Sequence, residues 1–192
     1  MPKFKVGVYG SAGGKAEIVR ARKKARAIGE LLAQNNAIVV TGACPGIPLV
    51  AASAAKRAGG EVWGFSPMRN RKAHMQNFPD DDQRVYKKFI FVPKTFPFSR
   101  NLEVSRKYRN VISTAYVDAG VIIAGRWGTL HEFCSLHDYG KVIGILSKSG
   151  GFAELLPAML KKTSKKSKAK IVVHSDPEKL VALVLKHLKR NR

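Results

Sequence analysis

Asp118–Phe133, DAGVIIAGRWGTLHEF, runs from a continuous apolar stretch through two glycines into a mixed polar and apolar segment. Ala119–Ala124 (AGVIIA) offers no polar face, which suits a strand of a parallel sheet covered on both sides. Gly125–Gly128 reads as a turn, and Thr129–Tyr139 as a helix. Strand, glycine turn and helix in this order form the repeating unit of a doubly wound α/β fold. The turn falls at the strand ends, where such sheets bind ligands.

The same unit recurs on both sides. Upstream, Phe4–Tyr9 (FKVGVY) leads through Gly10–Gly14 into a helix over Ala16–Gln34, whose Ile18, Ala21, Ala25, Ile28, Leu31 and Leu32 recur at helical spacing. Ala37–Thr41 leads through Gly42–Gly46 into a small-residue helix, Leu49–Ala58, and then a strand, Glu61–Ser66. Pro67–Lys87 has no period and reads as an irregular excursion over the sheet edge. Phe89–Val92 is a strand and Ser99–Val117 a helix. Downstream come strand Val142–Leu146, helix Phe152–Lys161, strand Ile171–His174, and a helix capped by Asp176 with Leu180, Leu183, Val184 and Leu188 on one face. The fold expected is a doubly wound, mostly parallel Rossmann-like α/β sheet with helices on both faces. A chain of 192 residues is the size of one such domain, spanning 1–192.

Composition narrows the class. Hydrophobic residues at 45% exclude a wholly disordered chain, and no apolar run is long enough to span a membrane. Met1–Tyr9 lacks the pattern of an export signal, so a cytoplasmic protein is expected. Cys44 and Cys134 form no ligand spacing, and the five histidines share none, so no metal site is expected. Lys and Arg outnumber Asp and Glu by 35 to 13, a net charge of +22 that attracts anions. The lysines are spread along the chain, so a nucleic-acid partner rests on charge alone. The dense run Lys161–Lys170 reads as a solvated loop with no part in a site.

Gly10, Gly42, Gly46, Gly125 and Gly128 mark three turns at one sheet edge. Glycine admits positive φ and close backbone approach, and the helix amides that follow suit a phosphate. Tight turns also use glycine for geometry alone; three turns on one edge of a basic protein point to an anion-binding rim. Thr129 could cap its helix with the hydroxyl toward a phosphate, and Glu132 stands at the capping-box position. Trp127 either stacks on a base or props the loop, and His131 reads as solvent-facing. By position alone Arg109 is a surface arginine.

Ser105–Phe133 resembles the signature of the LOG family: an arginine-bearing helix, a buried strand and a turn of the form P-G-G-x-G-T-x-x-E. Gly42–Pro48 (GACPGIP) is similar to that family's second glycine turn, and Val8-Tyr9-Gly10-Ser11 to its first, so the likeness covers roughly Lys5–Leu146. It implies a LOG-like Rossmann domain that binds a nucleoside monophosphate or related phosphorylated small molecule. It further implies hydrolysis of the N-glycosidic bond to base and ribose 5-phosphate, without metal or redox cofactor. Arg109 and Glu132 fall on the family's catalytic positions. Gly10, Ser11, Gly42, Gly46, Asn110, Gly125, Arg126, Gly128 and Thr129 fall on nucleotide-binding ones. The sequence departs from the pattern in Ala124-Gly125-Arg126 for P-G-G, in Asn110 for a lysine, and in Pro48 for methionine. These departures also fit a non-catalytic carrier of a nucleotide or pterin-type cofactor, as in the molybdenum-cofactor carriers of the same superfamily. The resemblance implies a homodimer as well, with Leu49–Ala58 and Thr129–Tyr139 as candidate faces.

Overall fold

The computed structural model describes residues 3–163 and 166–190, leaving aside the side chains of Lys15, Glu17 and Ile18. The side chain of Ile18 in the expected apolar stripe, and Ser164 and Lys165 of the lysine-rich run, therefore lie outside what is described. One seven-stranded sheet runs through the chain: β1 (Lys5–Gly10), β2 (Ile38–Thr41), β3 (Glu61–Phe65), β4 (Lys88–Ile90), β5 (Ala119–Ile123), β6 (Val142–Leu146) and β7 (Lys170–His174). Its order is β4-β3-β2-β1-β5-β6-β7, and every neighbouring pair is parallel. The helices are α1 (Lys15–Gln34), α2 (Ile47–Arg57), α3 (Arg71–Asn77), α4 (Leu102–Tyr116), α5 (Trp127–Asp138), α6 (Phe152–Lys162) and α7 (Pro177–Arg190). This is a doubly wound, Rossmann-like α/β fold.

Alternation along the strands divides the core. Val6, Val8, Val121 and Ile123 face a cluster completed by Ala21, Ala25, Ile28, Ala51, Leu180 and Val184 from α1, α2 and α7. Tyr9, Val40 and Ile122 face the other side, among Phe133, Leu136, Ala153 and Leu156 from α5 and α6. Both faces are covered, so the central strands are built almost wholly of apolar residues, with polar Thr41 at the end of β2. The chain leaves β1 toward β2 on one side and β5 toward β6 on the other. The β1 and β5 ends thus form the topological switch point, where the crossovers diverge and open a crevice.

The region Pro67–Lys87 is more ordered than its sequence suggests. It contains the seven-residue α3 and a short 3-10 turn at Gln83–Val85. Its fastening is polar, which is why no apolar period announces it. Tyr86 Oη donates to Asp81 Oδ1 (2.8 Å), His74 Nε2 donates to Asp81 Oδ2 (3.1 Å), and Ser66 Oγ meets His74 Nδ1 (2.8 Å). Met68 N–H donates to Ser66 Oγ (2.9 Å), closing the network. Serine, histidine and aspartate stand as in a hydrolytic triad, yet all three are buried. The lysine-rich run also differs from a continuous loop: Lys161 and Lys162 end α6, and Lys170 begins β7.

α1 and α2 approach so closely that a Cβ on Gly29 would lie 2.1 Å from the carbonyl oxygen of Ala51. Helix propensity alone favours Gly29→Ala by about 1 kcal/mol. Overlap with a backbone atom should outweigh that gain, and the variant is expected to lose about 1–3 kcal/mol in urea unfolding. A variant as stable as the parent would show that the two helices can slide apart.

Candidate functional site

A cavity of about 540 Å³ opens at the switch point. Its floor is the turn after β1 and its walls are the β2–α2 turn, α4, and the first turns of α5. Gly10, Ser11, Gly42, Arg109, Asn110, Arg126, Gly128, Thr129 and Glu132 all line it. Gly46 and Gly125 do not. Gly46 (φ +81) packs on the backbone, since a Cβ there would meet Ser11 O at 2.4 Å. Gly125 (φ +98) packs on Thr129, and its N–H donates to Ser11 Oγ at 3.0 Å.

The turns are not equivalent as anion sites. At the start of α2, Ile47 N–H donates to Ser11 O (2.9 Å) and Pro48 has no N–H, so two of the first amides are unavailable. At the start of α5 the amides of Trp127, Gly128 and Thr129 meet no acceptor among the described residues, and a side chain on Gly128 would enter open space. Unpaired amides at the positive end of the helix dipole are suited to a phosphate. The helix begins at Trp127 with Arg126 as its N-cap, and no side chain caps it. Thr129 is therefore inside the helix, and the reciprocal cap expected between Thr129 and Glu132 is not made. Ala124 takes φ +51, a conformation closed to proline, which is how this turn accommodates the missing proline of the family motif.

Arg109 is half-buried and held at the cavity rather than free on the surface. Its Nε donates to Asn110 Oδ1 (2.9 Å) and its Nη1 to Phe65 O (3.3 Å). A Cβ on Gly42 would lie 2.0 Å from Nη1, so the second turn needs glycine to admit the guanidinium. Asn110 Nδ2 donates to Gly128 O (3.3 Å) and ties α4 to the α5 turn. Glu132 is buried within this frame, and burial raises its carboxyl to about 7 while Arg109 and then Lys107 pull it down. Tyr9, overlooked in the sequence as a strand residue, also lines the cavity. It is 1% exposed, and its hydroxyl is enclosed beside Gly7 and Ser113. Burial, then the charge of Glu132, raises its pKa beyond the usual phenol range. The signal for it was its place at the strand end just before the glycine turn. Cys44 faces the cavity too, but burial pushes its thiol up to about 12, so it is no ready nucleophile. His131 is half-buried, with Nδ1 enclosed and unpaired, rather than turned to solvent.

Residues 3–181 match the SLOG cluster4 family. No curated protein sequence matches the chain. Among solved structures it is similar to TM1055, a structural-genomics target (TM-score 0.79, 19% identity, 95% of this chain and 99% of that one). It is similar to the molybdenum cofactor binding protein of the phototrophic bacterium Rippkaea orientalis (0.68, 19%, 98% and 99%). A third is DNA processing protein A of Helicobacter pylori, described with a single-stranded DNA binding mode (0.66, 18%, 96% and 81%). At these identities the likeness establishes the shared fold.

The raised Glu132 carboxyl has a consequence for stability. The folded protein holds this proton more tightly than the unfolded chain, where the group titrates near 4.5. Its favourable contribution is fully present below about 4.5 and is lost as pH rises through about 7. Ionising it in the folded state costs on the order of 3 kcal/mol. Glu132→Gln should therefore stabilise the protein by about 1–3 kcal/mol at pH 8 and change little at pH 4.5. Denaturant titrations at the two pH values decide this, and an equal effect at both would mean that the buried charge is not the cause.

Proposed function

The chain belongs to the SLOG cluster4 family, within the LOG-like superfamily, and from that premise we propose that its cavity binds a nucleoside 5′-phosphate and hydrolyses the N-glycosidic bond. One observation carries this reading: Glu132, buried and with its carboxyl raised to about 7, lines an anion-ready cavity together with Arg109. The phosphate rests on the amides of Trp127, Gly128 and Thr129, with Arg126 beside it. Breaking the bond builds positive charge at the sugar, and an ionised Glu132 opposes that charge and orients the attacking water. Arg109, held by Asn110 and Phe65 O, compensates charge on the departing base. Binding energy from the phosphate positions the reacting bond, so the unphosphorylated nucleoside should react far more slowly.

A second reading, a carrier that binds without cleaving, is favoured by Arg126, whose bulky cation replaces a glycine of the family turn. Base release from nucleoside 5′-monophosphates, followed by chromatography, separates the two. On the hydrolase reading kcat/KM rises with pH and levels off above about 7, as Glu132 ionises. Glu132→Gln should abolish turnover with binding changed by no more than a few-fold, and Arg109→Ala should lower turnover. Tight binding with no release by the parent protein, matched by Glu132→Gln, would establish the carrier instead.

The proposal includes a cytoplasmic homodimer. The small residues of α2 are already buried against α1, which leaves α4 and α5 to supply the face, where Val111, Tyr116, Trp127 and Tyr139 are exposed. Light scattering at micromolar concentration and moderate salt should show a dimer that Tyr116→Glu weakens. A monomeric parent protein would refute the pairing.

A further inference from the structure

Arg126 lies between two glycine turns rather than beside one. It is the N-cap of α5, yet its Nη2 stands 2.8 Å from where a Cβ on Gly13 would be, above the turn after β1. The amides of Ala12 and Gly13 meet no acceptor among the described residues, and neither do those of Trp127, Gly128 and Thr129 across the crevice. The guanidinium therefore sits between two rows of backbone donors. Each row can receive the oxygens of one phosphate, and a planar fork is suited to reach both groups at once.

Charge at the cavity is consistent with more than one phosphate. Four cations line it, Arg106, Lys107, Arg109 and Arg126, against two carboxylates, Glu103 and Glu132. Arg106 is spent on Glu103 through its Nη1, and Arg109 acts on Glu132. Arg126 has no carboxylate partner among the described residues. With Glu132 raised to about 7, part of its compensating charge is also missing near neutral pH.

We propose that the ligand is a nucleoside 5′-diphosphate, with one phosphate toward each glycine turn and the Arg126 guanidinium spanning the oxygens of both. The inference rests on the nucleotide-binding half of the reading above and narrows its ligand class. It also accounts for the exchange of the family's glycine for arginine: a turn that holds one phosphate acquires a reach to the second.

The test is isothermal titration calorimetry at an ionic strength of about 0.15 M, where long-range attraction by the net charge is screened. The probes are the 5′-mono- and 5′-diphosphates of adenosine, guanosine, cytidine and uridine. For the base that binds best, the diphosphate should bind at least about tenfold more tightly than the monophosphate, or about 1.4 kcal/mol. Arg126→Gly should reduce that ratio to within about threefold while monophosphate binding survives. Lys186→Ser removes an equal charge from exposed α7, outside the cavity, and should leave the ratio unchanged. Equal affinities in the parent protein, or a ratio that falls as far with Lys186→Ser, overturn the diphosphate assignment and leave nucleotide binding standing. Binding of none of the eight nucleotides overturns the nucleotide reading itself.

Discussion

Ser11 holds the three glycine turns in one arrangement. Its hydroxyl oxygen accepts the Gly125 N–H from the turn after β5, and its carbonyl accepts the Ile47 N–H at the start of α2. The residue sits in the turn after β1, so one amino acid joins the ends of β1, β2 and β5. Both bonds are buried, where an unmade partner costs about 1–3 kcal/mol. The rest of the site follows from this junction. Gly46 has to be bare because its Cβ would strike the Ser11 carbonyl, and Gly125 contributes to the site by leaning on Ser11 rather than by offering its amide to a ligand.

The division of labour among the turns was only partly legible in the sequence. Glycine content marked the sheet edge and the order of the elements correctly, because βα turns and buried strands have strong local signatures. It did not tell which glycine serves a ligand and which serves the chain. Gly42 is bare for the guanidinium of Arg109, a residue distant in sequence, and no pattern of spacing reveals that. Arg109 itself reads as a surface residue until β3 is placed beside it and Phe65 O takes its Nη1. The capping box at Thr129 and Glu132 was a false local signal. The chain turns at Ala124 and Gly125, both at positive φ, and starts its helix at Trp127, before the residue that could have capped it.

α3 escaped for the opposite reason. Arg71–Asn77 buries only His74, so it has no apolar stripe to be found. What holds it is the buried exchange among Ser66, His74, Asp81 and Tyr86, residues spread over the excursion. Polar networks of this kind are specified by mutual satisfaction of donors and acceptors, which only the folded geometry displays. The network carries Phe78 to the cavity wall and leaves its own serine enclosed. The serine, histidine and aspartate order serves here to fasten α3 through buried hydrogen bonds.

The contact of Gly29 with the Ala51 carbonyl reaches beyond packing. Two helices locked backbone to backbone behave as one rigid plate, and the turns after β1 and β2 are its leading edges. Ser11 rivets those edges together. On the opposite side of the crevice, α4 is linked to the α5 turn through the Asn110 amide and the Gly128 carbonyl at 3.3 Å. The Ser11–Gly125 bond fastens the α5 turn to the same plate, so the two sides of the crevice are joined at its floor. Arg109 and the α5 turn that carries Arg126 and Glu132 are thus each anchored across the crevice, Arg109 through Phe65 O and the turn through Ser11, so the charged side chains stand on a frame set before any ligand arrives.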